Sequence, residues 1–100
     1  NIYPSQLENI IDSFEKVQMS CVIGVKDPIK MEKIKAFIVL KDGVLENEET
    51  KEEIREYLRT RVAKYSLPHE IEFRKEFPKT LVGKIAYRVL EEEEEKKNNI

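Results

Sequence analysis

The sequence is poor in the residue types that carry much of catalytic and metal-binding chemistry. It has one cysteine, Cys21, and one histidine, His69. A lone cysteine excludes an internal disulfide and a cysteine-based metal site. A lone histidine cannot build a zinc site by itself. One His and one Cys give no nucleophile constellation. No metal centre is therefore expected. Glycines number 3, and no G-x-x-x-x-G-K-[ST] phosphate loop occurs. The longest apolar run is Ala36 to Leu40, far short of the ~18 residues that span a membrane. No charged-then-apolar segment opens the chain, so no signal peptide is read. Lys plus Arg total 18 against 20 Asp plus Glu, a net charge of −2. That lacks the basic excess of a nucleic-acid binder, and the aromatic pattern of an RNA-binding sheet is missing too. A single cysteine fits a reducing, cytoplasmic setting.

What is present is globular. The 100 residues are 40% hydrophobic and 38% charged. That length supports one domain, 1–100, and one modest core; a deep pocket of several hundred Å³ (about 300–1,000) is hard to add. The chain opens at Asn1 rather than Met, which reads as a piece of something longer.

Residues 4–14 predict a helix: Leu7, Ile10, Ile11 and Phe14 form one stripe. Pro4 suits the first helical position, and Ser5 with Glu8 has capping-box spacing. Val17 to Asp27 predicts a strand, with Val17, Met19, Cys21, Ile23 and Val25 on one apolar face. Asp27-Pro28 turns the chain. Lys33 to Lys41 predicts an antiparallel partner, with Ile34, Ala36, Ile38 and Leu40 on one side.

Thr50 to Tyr65 predicts a helix with a Thr50/Glu53 capping box. Its apolar stripe is Ile54, Tyr57, Leu58, Val62 and Tyr65, so Tyr65 is expected in the core. Glu52–Arg55 and Glu56–Arg59 pair on its wet side. Glu70 to Arg74 predicts a short strand, 79–84 a loop, and 86–95 a helix, with Lys96 to Ile100 frayed. The Glu91–Glu95 run reads as a solvated face. The order α-β-β-α-β-loop-α predicts an α+β fold. In it a three-stranded, antiparallel-containing sheet with one apolar face packs against the helices.

Cys21 reads as a small buried hydrophobe and His69 as an exposed turn residue. Gly24, inside a strand, marks either a bulge or a close backbone approach. The segment Pro78-Lys79-Thr80-Leu81-Val82-Gly83-Lys84 stands out. It puts a lysine after a permissive glycine on a loop between strand and helix. Taken alone, that is a plain surface turn.

The segment resembles the last signature motif of the adenylate-forming superfamily, P-K-T-x-x-G-K. Other stretches resemble the same family in the same order. Asn1 to Glu8 is similar to N-I-Y-P-x-E-I-E, Val22 to Pro28 to V-V-G-V-P-D-P, Ile34 to Leu40 to V-K-A-F-V-V-L, and Lys64 to Pro68 to K-Y-x-x-P. The match runs over roughly residues 1–90, and its wording is most like long-chain fatty acyl-CoA ligases. Departures are Gln6 for the usual Glu, Met31 for a common Gly, and Ala86-Tyr87 for Asp-Arg. The last substitution removes the normal acidic cap of the final helix.

The resemblance implies the C-terminal lid domain of an ATP-dependent acyl-CoA ligase acting on a fatty acid. The hinge residue and the large N-terminal domain would precede Asn1. That domain would be the partner and would hold most of the carboxylic acid, ATP, Mg and CoA. None of these is expected to bind the isolated chain, which is expected to be inactive. Such a ligase is expected in the cytoplasm, with peripheral membrane association open for the intact enzyme. Lys84 would be the catalytic residue, stabilising charge as the carboxylate attacks ATP. Gly83 and Thr80 would face substrate beside it, while Lys79 would pair locally or face solvent. Rotation of the lid would bring Tyr3, Pro4 and Gly24 toward CoA. The acyl group and the acceptor, CoA or a carrier-protein thiol, stay open. The rival reading is a non-catalytic α+β interaction or ligand-sensing domain.

Overall fold

The structure, a computed structural model, describes residues 3–25 and 33–98. The predicted Asp27-Pro28 turn and Met31 lie outside the described residues. The order is α1 (Pro4–Asp12), β1 (Val17–Val25), β2 (Lys33–Leu40), α2 (Glu48–Arg59), a 3-10 turn at Lys64–Ser66, β3 (Glu70–Phe73) and α3 (Tyr87–Asn98). One three-stranded sheet runs β1-β2-β3. β1 pairs antiparallel with β2, Cys21 opposite Phe37 and Gly24 opposite Ile34. β3 pairs parallel with β2, Ala36 opposite Ile71. A parallel pair needs a long crossover, and α2 supplies it.

The sheet buries both faces, where one apolar face was predicted. On one side Val22, Ala36, Ile38 and Ile71 meet Leu7 and Ile11 of α1 and Ile54 and Leu58 of α2. On the other, Cys21, Ile23, Phe37 and Val39 meet Phe77 and Leu90, the latter on α3. Val22, read as lying among the polar positions of β1, is buried in the larger core. Both faces of β2 are therefore apolar along Ala36 to Leu40, the pattern of a central strand covered on each side.

Several local expectations are corrected. Tyr3, not a Ser5/Glu8 box, caps α1: Gln6 Oε1 accepts the Tyr3 N–H at 3.1 Å. The amide oxygen of Gln6 does there what a carboxylate would do. Asn47, not Thr50, caps α2, its Oδ1 accepting the Thr50 N–H at 2.9 Å. The Thr50 hydroxyl donates inward to the Leu45 carbonyl. α2 ends at Arg59, so Tyr65 falls in the 3-10 turn and is exposed rather than in the core. The strand irregularity lies between Val17 and Met19, not at Gly24. α3 continues to Asn98, so residues 96–98 are helical rather than frayed. The Glu52–Arg55 and Glu56–Arg59 pairs form as expected.

Candidate functional site

The 79–84 segment is a small hairpin rather than an open loop. Lys79 and Ile85 form an antiparallel bridge. The Thr80 N–H donates to the Lys84 carbonyl at 2.7 Å, and the Ala86 N–H to the Pro78 carbonyl at 2.8 Å. At the tip, the Gly83 N–H donates to the Thr80 carbonyl at 2.9 Å. Gly83 has φ +85 and open space around its missing side chain. Its requirement is thus conformational: an L side chain in that region costs roughly 1–2 kcal/mol. The Thr80 hydroxyl oxygen accepts the Lys84 N–H at 3.2 Å. Thr80 therefore ties both sides of the tip together while remaining exposed. Leu81 and Val82 project into solvent.

Lys84 follows directly and is exposed. Among the described residues its ammonium has no hydrogen-bond or ion-pair partner. Lys79 is also exposed without a carboxylate partner among the described residues. A compact charge on a long stem, carried by a closed hairpin, can approach an anion without first breaking an existing pair.

The hairpin base is apolar and then charged. Phe77 is buried, and Ile85 packs beside it against Cys21, Phe37 and Leu90. Next to Phe77, the Arg74 guanidinium spans the segments on either side of the hairpin. Its Nε donates to Glu72 Oε2 at 3.0 Å and its Nη2 to Glu93 Oε1 at 2.7 Å. Beneath it Lys35, only 2% exposed, reaches Glu72 and Glu94 at 2.8 Å each and Glu70 at 3.3 Å. Both cations lie 4.9 Å from the Phe37 ring centroid.

Burial alone would pull Lys35 down, but its hydrogen bonds to Glu72 and Glu94 outweigh that and hold its pKa up. Burial alone would likewise raise Glu72; the Lys35 hydrogen bond and charge, with Arg74 and Lys97, bring it below its usual range. The Glu91–Glu95 run is thus more than a solvated face. Glu93 binds Arg74, and Glu94 is buried against Lys35.

This network escaped the motif-based reading. One signal was available: Lys35 shares a strand face with Phe37 and Val39, and a lysine on a buried face needs a carboxylate.

Tyr3, Pro4 and Gly24 sit elsewhere. Glu8 lies beside Val22 and Asp12 beside Ser20, so α1 runs against β1. Its Tyr3-Pro4 start therefore lies toward the Gly24 end of that strand. All three are exposed. No hydrogen bond among the described residues joins them to Thr80, Gly83 or Lys84. Cys21 is fully buried, as expected. His69 is exposed, yet it extends the β2–β3 ladder: its N–H donates to Ile34 O, and its Nδ1 accepts the Ile34 N–H. Among the described residues no group of three or more His, Cys, Asp or Glu could hold a metal ion, and no helix is long and apolar enough to cross a membrane.

The AMP-binding enzyme C-terminal domain family matches residues 6–84. A long-chain-fatty-acid–CoA ligase of Bacillus subtilis (strain 168) is 44% identical over 100 residues, covering 100% of this chain and 17% of the relative. The crystal structure of a Brucella canis acyl-CoA synthetase superposes with a TM-score of 0.91 at 32% identity, over 98% of this chain and 18% of that one. The anthranilate CoA ligase AuaEII, crystallised with anthranoyl-AMP, gives 0.90 at 31% identity, over 99% and 19%. The chain spans less than a fifth of the length of these relatives. The family match ends on Lys84, the tip lysine of the hairpin. This chain belongs to the AMP-binding enzyme C-terminal domain family.

Proposed function

We propose that the chain is the mobile C-terminal domain of an ATP-dependent acyl-CoA ligase, with Lys84 as its catalytic residue for acyl-adenylate formation. The observation that carries this is the exposed Lys84 ammonium, unpaired among the described residues and held on a closed hairpin. In the first half-reaction a carboxylate oxygen attacks the α-phosphorus of ATP and pyrophosphate leaves. Two anions must approach, and a lysine between them stabilises charge as it develops. The similarity to a ligase crystallised with anthranoyl-AMP supports the adenylate. The similarity to a fatty-acid ligase supports a fatty acyl group.

ATP, the acyl group and most of the CoA path belong to a large N-terminal domain in this reading. Mg, which would offset phosphate charge, would be held with ATP by that domain. In the second half-reaction the CoA sulfur displaces AMP from the acyl carbon. The domain would turn to present Tyr3, Pro4 and Gly24 there.

The test uses the ligase that carries this domain. Lys84→Ala is expected to slow adenylate formation by about 10²–10³-fold. Thioester formation from supplied acyl-adenylate should stay unchanged. Equal loss in both half-reactions overturns the assignment.

A further inference from the structure

The hairpin carries Lys84, but its own hydrogen bonds close only its two arms on each other. What fixes the hairpin to the domain is the pair of segments it connects. β3 and the residues after it lead in, and α3 leads out. Their union is charged as well as apolar. Arg74 follows the last residue of β3 and extends the ladder, its N–H donating to Ile38 O at 2.9 Å. Its side chain then crosses to Glu93 on α3 at 2.7 Å while holding Glu72 on β3 at 3.0 Å. The side chain is 23% exposed, and its guanidinium rests over the Phe37 ring.

A planar fork can serve two carboxylates on two elements at once, whereas an ammonium acts as a point charge. The chain has arginines at the wet surface too, such as Arg55 and Arg59, each bonded within its own helix. Among the arginines of the described residues only Arg74 joins two elements on either side of the motif; at the same junction Lys97 reaches Glu72 at 3.5 Å, and Lys35 holds Glu72 and Glu94 from below.

We infer that Arg74 is a positioning residue for Lys84, clasping β3 to α3 through Glu72 and Glu93 so that the hairpin leaves a fixed base. The inference rests on the catalytic reading of Lys84 above. Its physical part, the clasp, can be read without chemistry. A tip displaced by about 1 Å can lose as much as a hundredfold in rate, because transition-state contacts are steep in distance.

The experiment has two arms. In the 100-residue chain, amide hydrogen exchange is followed at Thr80 and Ala86, whose N–H groups close the hairpin neck. Arg74→Ala and the isosteric Glu93→Gln should both speed exchange there about tenfold, leaving the Cys21 and Phe37 amides of the β1–β2 ladder unchanged. Arg74→Lys should not restore protection. In the ligase carrying the domain, both variants should lower kcat of adenylate formation about tenfold with KM for ATP unchanged. Thioester formation from supplied acyl-adenylate should be untouched.

General loosening of the fold would raise exchange at all these amides and slow both half-reactions, and that result overturns the inference. So does unchanged exchange at Thr80 and Ala86 in Glu93→Gln, a variant that preserves side-chain shape. Neck loosening without an effect on adenylate formation overturns the positioning role while leaving the clasp. Failure of the Lys84 assignment itself is seen separately, as full adenylate formation by Lys84→Ala.

Discussion

Glu8 and Tyr87, 79 positions apart, meet through a 2.7 Å hydrogen bond from the tyrosine hydroxyl to Glu8 Oε2. The same oxygen accepts the Val22 N–H at 2.8 Å. β1 is an edge strand, and the carboxylate stands where a further strand would have supplied an acceptor. One side chain on α1 thus gathers the edge of the sheet and the first turn of α3. Tyr87→Phe removes only the exposed half of this junction and should cost about 1 kcal/mol. Glu8→Ala also orphans a part-buried N–H and should cost about 2 kcal/mol. Urea unfolding midpoints check the order. A larger loss for Tyr87→Phe would contradict it.

Thr80 binds the hairpin through its hydroxyl as well as its backbone. Thr80→Val keeps the shape and deletes the acceptor of the Lys84 N–H. Stability should change by no more than about 0.5 kcal/mol, as for an exposed site, while amide exchange at Lys84 quickens. Thr80→Ser should retain slow exchange. An unchanged Lys84 amide in Thr80→Val would mean that the hydroxyl contributes nothing to the tip.

The cluster around Lys35 sets how stability responds to pH. Glu72 has a lowered pKa in the fold. Its contribution is therefore present above its unfolded value of 4.5 and is lost as the pH falls below that and through the folded value. Lys35 has a raised pKa, so its contribution is complete below 10.5 and is lost only as the pH rises through its higher folded value. Melting temperature should hold steady from pH 4.5 to about pH 9, fall in acid, and fall above pH 9, where the Cys21 thiol ionises in the unfolded chain but not in the fold. Lys35→Met leaves Glu70, Glu72 and Glu94 without their shared cation. It should cost about 3–5 kcal/mol at neutral pH. It should also reverse the acid limb, because carboxylates crowded together gain from protonation. A parallel acid limb in the variant would show that Lys35 does not govern it.

The Cys21 thiol is pushed up to about 12, first by burial and then by the charges of Glu8 and Glu91. Thiolate, not thiol, is the reactive form. A thiol reagent at neutral pH should leave the folded chain unlabelled and modify it fully once denatured. Mass spectrometry before and after urea reads this directly. Rapid labelling of the folded chain would mean that β1 opens far more readily than its zero exposure indicates.

Periodicity located α1, α2 and the three strands, although it ran α2 on through the 3-10 turn at Lys64–Ser66; the motif marked the segment that folds as the hairpin, which spacing alone reads as a loop. The misreadings share one cause: local spacing does not say what lies on the far side. Val22 does face away from Cys21 and Ile23, as alternation gives, but α1 and α2 cover that face; the shift between Val17 and Met19 instead moves Val17 onto Val22's side. Phe37 and Val39 already marked a second apolar face, but only the docking of α3 shows what covers it. Thr50 has capping-box spacing to Glu53, yet Asn47 supplies the bond and frees Thr50 to turn inward. Glu93 and Glu94 sit in a run of like charges, and nothing local separates them from Glu92. Arg74 and Lys35 do so from β3 and β2. The motif around Lys84 lies in one stretch of sequence, whereas Lys35, Arg74, Glu93 and Glu94 are brought together from separate parts of the chain.

α3 crosses the sheet instead of following a strand. Its first residue, Tyr87, is tied to the outer edge of β1 through Glu8, and its seventh and eighth, Glu93 and Glu94, are tied over β3. At about 1.5 Å per residue, those anchor points lie roughly 10 Å apart, and they act as two bolts on one beam. The hairpin is cantilevered from that beam immediately before the first bolt. A part mounted in this way does not flap by itself; it goes where the frame goes. In the function proposed above, withdrawing Lys84 from an anion would thus fall to a turn of the whole domain, and that one rotation would also present the Tyr3-Pro4 surface elsewhere.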